Sequence, residues 1–407
     1  MKRKVIVIGG GAAGFFSAIT CAQASKEVDV TLFEKSSKLL SKVAVSGGGR
    51  CNVTHACFDN KILSASYPRG EKQLKSAFSR FTTTDTVNWF ESRGVKLKTE
   101  ADGRMFPKTD DSQTIIDCLM KEAKKAKVTI QTEVGVKDIR PRFDGGFFVE
   151  LTSGEQMECD KIIVATGGSP KIEGFEWIKK LGHQIVEPVP SLFTFNIPNN
   201  PIIELQGIAV DPAKVKIADT KIEFAGPVLI THWGLSGPAV LKLSSFCARL
   251  LAEKEYDFNI QISWLNNKKE DALRQELFNI KAANPTKHIG NLLPVVLPKR
   301  LVEFVLQKCG INPDKRWADV TKEEIQLLQE HFLYDTYHVQ GKTTFKEEFV
   351  TCGGVNLDDI DFKTMESKRC KGLHFAGEVL DIDGITGGFN FQAAWTTGFI
   401  AGNGVLK

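Results

Sequence analysis

A short β-branched run, Val5–Ile8, breaks directly into Gly9-Gly10-Gly11, and the glycine spacing continues to Gly14. Nothing else in the chain constrains the fold as strongly. Gly9 permits a tight turn, Gly11 lets backbone approach a pyrophosphate, and Gly14 lets the next helix pack closely on the strand. Ala12–Ala24 reads as that helix. Val28–Phe33 reads as a second strand, ending at Glu34, twenty residues after Gly14. Free N–H groups at a helix start suit phosphates, and a carboxylate at the end of the second strand suits ribose hydroxyls. Strand, turn, helix, strand and acid in this register predict the opening of a doubly wound α/β fold with a dinucleotide site.

With 407 residues the chain has room for two or three domains. Its 53 basic and 49 acidic residues leave a net charge of +4. That is no general electrostatic reason to bind nucleic acid, and no nucleic-acid partner is expected. The nine cysteines are dispersed, without a CxxC pair, which fits reduced thiols in a cytoplasm. Lys2-Arg3-Lys4 before an apolar run imitates a secretory leader, but three successive glycines would weaken a leader helix. No stretch approaches the ~20 apolar residues of a membrane span, and no membrane partner is expected.

Segment 36–70 lacks a clear period and contains Ser46–Asn52, SGGGRCN. It reads as a functional loop with short helical pieces. Helical patterns follow near 71–80, 83–93 and 111–126. From 128 to 166 the chain reads as strands, with hairpin turns at Asp144-Gly145 and Ser153-Gly154. That meander feeds the apolar run Ile162–Ala165, suited to a buried parallel strand. Roughly 190–350 is a different unit. Prolines punctuate short strands up to Ile230, and Ser236-Gly237-Pro238 opens a helix with Ser236 as the expected cap. Lys268–Ala283, Pro298–Lys308 and Thr321–Leu333 read as helices, and strands return near 335–351.

A second motif selects the dinucleotide. Phe375-Ala376-Gly377-Glu378 ends an apolar strand, and Gly387-Gly388-Phe389-Asn390 opens the last helix. In two-part FAD sites the N-terminal unit holds the adenosine half, a late Gly-acid pair binds a ribityl hydroxyl, and the following helix start faces the flavin pyrimidine. Reduced flavin is negative near N1 and O2, where helix N–H groups stabilise it. Arg50 could pair a phosphate or an anionic substrate. Cys51 lacks an adjacent resolving thiol and reads as a buried hydrophobe. His232, in Thr231-His232-Trp233-Gly234, could act as an acid or base, although a hydrogen-bonding role at a domain junction is the plainer reading. Gly234–Pro238 misses the last glycine of a nucleophile elbow. Arg104 could equally reach substrate or form a structural ion pair. No P-loop, HExxH or metal-ligand cluster is present.

These residues resemble the YhiN/BaiN-like FAD-dependent flavoproteins, also labelled aminoacetone-oxidase-like. The resemblance rests on GGGAAG at 9–14, SGGGRCN at 46–52, GRMFP at 103–107, ATGG at 165–168, THWGLSGP at 231–238, MESK at 365–368 and GEVLDIDGITGGFNFQAAW at 377–395. It implies a Rossmann-like, glutathione-reductase-like FAD-binding domain from 1–190 plus 350–407. Between these segments it implies an inserted β-barrel-like domain over 191–349, with a helical subdomain about 267–334. One departure is visible: His55 stands where the family's GRCN loop usually carries a second Asn. The candidate cofactor-binding residues are Gly9, Gly11, Ala13, Gly14, Glu34, Lys35, Gly48, Arg50, Val134, Thr166, Gly167, Glu378, Gly387, Gly388, Asn390 and Phe391. Asn52 and His232 are the catalytic candidates.

The expected function is FAD-dependent hydride exchange with a small organic substrate held between the two domains, near Arg50–Thr54, Thr231–Trp233 and Asp381–Asn390. The resemblance allows an oxidase or a reductase, with NADH or NADPH as a transient electron donor. A tRNA-modifying flavoprotein and a flavin-binding regulator without turnover are the rivals. The first would need a basic RNA surface that the near-neutral charge does not advertise.

Overall fold

Four buried aliphatic residues in a row, Val5–Ile8, suit a strand covered on both faces and flanked on both edges. In the computed structural model, which describes residues 2–343 and 350–407, this strand, β1 (Arg3–Ile8), lies inside a parallel sheet. It is followed by α1 (Ala12–Ala24), β2 (Val28–Phe33), a kinked helix α2 (Ser41–Gly49), β3 (Thr129–Gln131), β4 (Lys161–Val164), β5 (Leu373–Phe375) and α3 (Phe389–Gly404). The parallel order is β5-β4-β1-β2-β3. Register is fixed by apolar pairs such as Val7 with Ile163 on one side and with Leu32 on the other. Two short antiparallel strands, Glu366–Ser367 and Ile360–Asp361, extend the β5 edge.

The chain divides into two compact units. One comprises Met1–Ser191 and Phe345–Lys407, the other Leu192–Thr344. In the first unit, α1 and α3 pack on each other with no room to spare. A methyl group on Gly398 would lie 2.9 Å from the Ala13 oxygen, and one on Gly402 would lie 2.6 Å from the Ser17 oxygen. Glycines four apart on one helix face thus let the two backbones approach. The expected meander is present as Val136–Pro141, Phe147–Leu151 and Gln156–Cys159.

The second unit carries a seven-stranded antiparallel sheet. Its order is 335–340, 257–263, 209–217, 223–231, 234–236, 194–196, 342–343. The strands at the two ends, Asp335–Gln340 and Lys342–Thr343, are separated in sequence by Gly341 alone. The sheet therefore curls until its ends meet, as a barrel does. Its inside is filled by Val215, Ile217, Ile230, Ile260, Ile262 and Tyr337. Three helices, Glu270–Ala283, Lys299–Lys308 and Lys322–Leu333, bury a separate cluster around Leu277, Trp317, Leu328 and Phe332. Thr321 caps the last of them with a Thr321/Glu324 capping box. Ser236, expected as a helix cap, instead ends the strand Gly234–Ser236. The cap is Gly237, whose φ of +99° no serine would hold comfortably.

All nine cysteines are free. Among the described residues no helix is long and apolar enough to cross a membrane.

Candidate functional site

The site grows out of the carboxyl ends of the parallel strands. β1 gives out at Gly9, whose N–H donates to the Phe33 carbonyl at 2.8 Å. Gly11 then caps α1, and no side chain fills that cap. No acid stands in the first turn, so the helix start keeps its unsatisfied donors and partial positive charge. A methyl group on Gly14 would sit 1.8 Å from the Gly9 oxygen, whereas one on Gly11 would meet no atom within 4 Å. Gly14 therefore seals helix to turn, and Gly11 borders open space. The Glu34 carboxylate accepts from the Gly10 N–H at 2.8 Å and from the Ser36 N–H at 2.9 Å. The Glu34 carbonyl accepts from the Val134 N–H at 2.9 Å, which places Val134 beside it.

The far end of the chain folds back onto this turn. Beyond β5, the Gly377 N–H donates to Thr397 Oγ1 at 2.9 Å. A methyl group on Gly377 would strike the Ala13 Cβ at 2.7 Å. α3 starts at Gly388, with φ +95°, no side-chain cap and no acid in its first turn. The loop after α2 meets this start. With its amide turned to satisfy both neighbours, Asn52 donates from Nδ2 to the Thr54 carbonyl and accepts through Oδ1 from the Gly388 N–H, both at 3.0 Å. Before it, Gly47, Gly48 and Gly49 are all left-handed, and Gly48 and Gly49 border open space.

Two uncapped helix starts and glycine edges facing open space fit an elongated ligand with a pyrophosphate at one end and an electron-rich ring at the other. FAD is such a ligand. Gly11 and the start of α1 would hold the pyrophosphate, Glu34 the adenosine ribose, and the start of α3 the flavin pyrimidine edge.

The sequence matches the HI0933-like protein Rossmann domain from residue 3 to residue 404. The chain belongs to the HI0933-like family. Its fold class is the α/β Rossmann type of FAD-dependent oxidoreductases, and it is an enzyme of that class. A ribosomal RNA dihydrouridine synthase of Escherichia coli strain K12 is 32% identical over 404 residues, 96% of this chain and 95% of that protein. A 3-dehydro-bile acid delta(4,6)-reductase of Clostridium scindens is 26% identical over 414 residues, 99% of each chain. The solved 3-ketosteroid-delta4-(5alpha)-dehydrogenase of Rhodococcus jostii RHA1 superposes with a TM-score of 0.53 at 13% identity, over 100% of this chain and 97% of that one. The last likeness is one of fold.

In this HI0933-like protein the remaining candidates fall into two groups. Gly167 is left-handed and borders open space beside the exposed Thr166. A methyl group on the next residue, Gly168, would lie 2.9 Å from Glu378 Oε1. The Glu378 carboxylate is braced by the Thr351 N–H at 2.8 Å and by Lys42 Nζ at 2.6 Å. These groups line the open edges. Lys35 is exposed next to Glu34. Phe391 stacks on Trp395, with ring centroids 5.7 Å apart.

Other candidates are occupied by the protein itself. Arg50, read from sequence as a partner for a phosphate or an anionic substrate, donates to Glu100 at 2.7 Å, lies 3.5 Å from Asp110 and covers the Phe106 ring. The acids of the 97–110 hairpin satisfy it locally. Asn390 accepts from the Gly384 N–H at 2.8 Å and donates to the Gly384 carbonyl at 3.0 Å. A methyl group on Gly388 would collide with the Thr54 carbonyl at 2.6 Å, so that glycine is demanded by protein packing and not only by a cofactor. Cys51 is fully buried, and burial pushes its thiol up to about 12; it is no nucleophile at neutral pH. His232 belongs to the second unit, where it is exposed with its ring against Trp233.

Two features escaped the sequence reading. His55, noted only as a departure, stacks on Phe389 at 4.6 Å and sets Nδ1 3.0 Å from the Gly387 carbonyl, bracing the start of α3. Asp383 is fully buried and receives Arg69 through two nitrogens and Ser191 Oγ at 2.6 Å. It joins three segments far apart in sequence. An acid inside the otherwise apolar Ile382–Ile385 stretch was the available signal.

Proposed function

We propose that this protein reduces a carbon–carbon double bond conjugated to a carbonyl, and that its substrate is uridine in ribosomal RNA. One observation carries the reading. Over nearly its whole length the chain is similar to a ribosomal RNA dihydrouridine synthase and, at lower identity, to a bile-acid delta(4,6)-reductase. The two names share one bond change, because dihydrouridine is uridine saturated between C5 and C6, beside the C4 carbonyl. The higher identity favours the RNA substrate. A steroid-like enone is the second reading, favoured by the Clostridium relative.

Bound flavin supplies the hydride in such a reaction. The chain supplies position. The first turns of α1 and α3 orient the two ends of the cofactor, Glu34 fixes the ribose, and the Asn52–Gly388 link holds the glycine loop against α3. The substrate gains a hydride and a proton, and NADH or NADPH replaces the two electrons. This takes an RNA substrate where net charge alone argues for none. A local surface suffices for binding. Free thiols in a cytoplasmic protein are consistent with it.

The test is anaerobic incubation of the FAD-loaded protein with NADPH or NADH and unmodified ribosomal RNA transcribed in vitro, followed by nucleoside mass spectrometry. Appearance of dihydrouridine is expected. Unmodified RNA together with saturation of a 3-oxo-Δ4 steroid would transfer the assignment to the second reading. A flavin band that neither nicotinamide bleaches would overturn the reductase reading as a whole.

A further inference from the structure

Alternation along the barrel strands of the second unit places polar groups on the outer face. In 209–217 the core takes Ala213, Val215 and Ile217, which leaves Lys214 and Lys216 outward. The neighbouring strand sends Ile260 and Ile262 inward, and its Gln261 and Ser263 stand opposite Lys216 and Lys214. The loop that follows supplies Asn266, Asn267, Lys268 and Lys269, and Tyr334 closes the other wall. Together they line a groove of about 390 Å³ within this unit.

The charges in this groove are unequal in state. Lys214 is paired with Glu223 at 3.1 Å, and Lys268 is paired with Glu276. Among the described residues, Lys216 and Lys269 meet no carboxylate within ion-pair distance. Glu223 and Glu270 are the acids of the lining, against four lysines. Asn266, with φ +54°, holds a buried Oδ1 with no hydrogen-bond partner among the described residues. Tyr334, 47% exposed, offers a ring to the same groove.

We propose that this groove binds the sugar–phosphate backbone of the RNA substrate. Lys216 and Lys269 meet phosphates, and Tyr334 receives a base. The proposal rests on the RNA reading above. Lys216 and Lys269 are the cations the groove offers to phosphate in a near-neutral chain.

The full-length, FAD-loaded protein is titrated with a fluorescein-labelled, uridine-containing oligoribonucleotide and with its deoxy counterpart, across a series of salt concentrations. In the Lys216→Gln/Lys269→Gln double variant, the slope of log Kd against log salt is expected to fall by about one to two, because two phosphate contacts are lost. Flavin spectrum and thermal transition should stay at wild-type values, and Lys216→Arg/Lys269→Arg should restore the slope. Tyr334→Ala should weaken binding of both oligonucleotides with little change in slope, because a stacked base and no phosphate contact is lost. If wild type binds RNA and the Gln variant binds with the same slope, the groove is wrong while the RNA reading stands. If wild type binds no RNA even at low salt, both fall together. If NADP⁺ displaces the RNA from wild type but not from the double variant, the groove is a nicotinamide-dinucleotide site and the proposal is overturned.

Discussion

A single methyl group separates two jobs of the glycine turn. Gly11, with φ −89°, has a conformation any residue can adopt, and it borders open space. In Gly11→Ala the cofactor-free protein should lose no more than about 1 kcal/mol, the cost of alanine at an N-cap, while FAD affinity falls about tenfold or more, near 1.4 kcal/mol per decade. Calorimetry and a flavin fluorescence titration would check the two halves. An unchanged FAD affinity would remove Gly11 from the pyrophosphate site. The Arg69–Asp383 pair behaves differently, because neither group touches open space. Burial raises the Asp383 pKa, and Arg69 opposes that shift. Arg69→Met would strand an acid inside the protein. It should cost about 3–5 kcal/mol in chemical denaturation, and Arg69→Met/Asp383→Leu should regain a good part of it.

At the scale of elements, the contact between α1 and α3 is the joint that brings the two chain ends into one site. Its closeness depends on Gly398 and Gly402. Gly402→Ala, 2.6 Å from the Ser17 oxygen, should lower stability by about 1–3 kcal/mol through overpacking and loosen bound flavin in parallel; a normal melting curve would mean the helices yield freely. This joint also marks what the sequence could tell. α1 and β2 are legible to the residue, because a strand, a glycine turn and an apolar helix leave one reading. The barrel strands were read only as short pieces. Lys214, Lys216 and Glu223 interrupt their apolar residues, and closure through Gly341 has no local signature. The ion pair of Arg50 stayed hidden for a related reason. Its partner Glu100 is fifty residues away and carries no mark of the pairing. Spacing exposed the glycines, whose role is local, and concealed the ion pairs, whose roles are not.

For the whole molecule, pH acts through a buried group of the larger unit. His374 lies inside β5 with both ring nitrogens unpartnered among the described residues, and burial holds its pKa down to about 4. An unfolded histidine takes up its proton near 6.5. Between these values the unfolded chain binds the extra proton, so stability should be full above about 6.5 and fall by roughly 3 kcal/mol as pH drops to about 4. Flavin release on heating would report the transition of this unit. His374→Leu should flatten the profile, and an unchanged slope in that variant would assign the acid sensitivity to another group.

The parallel sheet also has a history. β4 is made early, but its neighbour β5 and the closing helix α3 are translated only after the entire second unit. At ordinary elongation rates the unpaired edge of β4 waits on the order of ten seconds or more outside the ribosome. During that time the barrel can complete itself, since all its strands lie within one continuous stretch of chain. A nascent polypeptide of this design therefore shows a sticky strand edge to its surroundings for about half of its synthesis. It should lean on chaperones bound near the exit tunnel more heavily than a protein of equal size whose sheet is laid down in one piece.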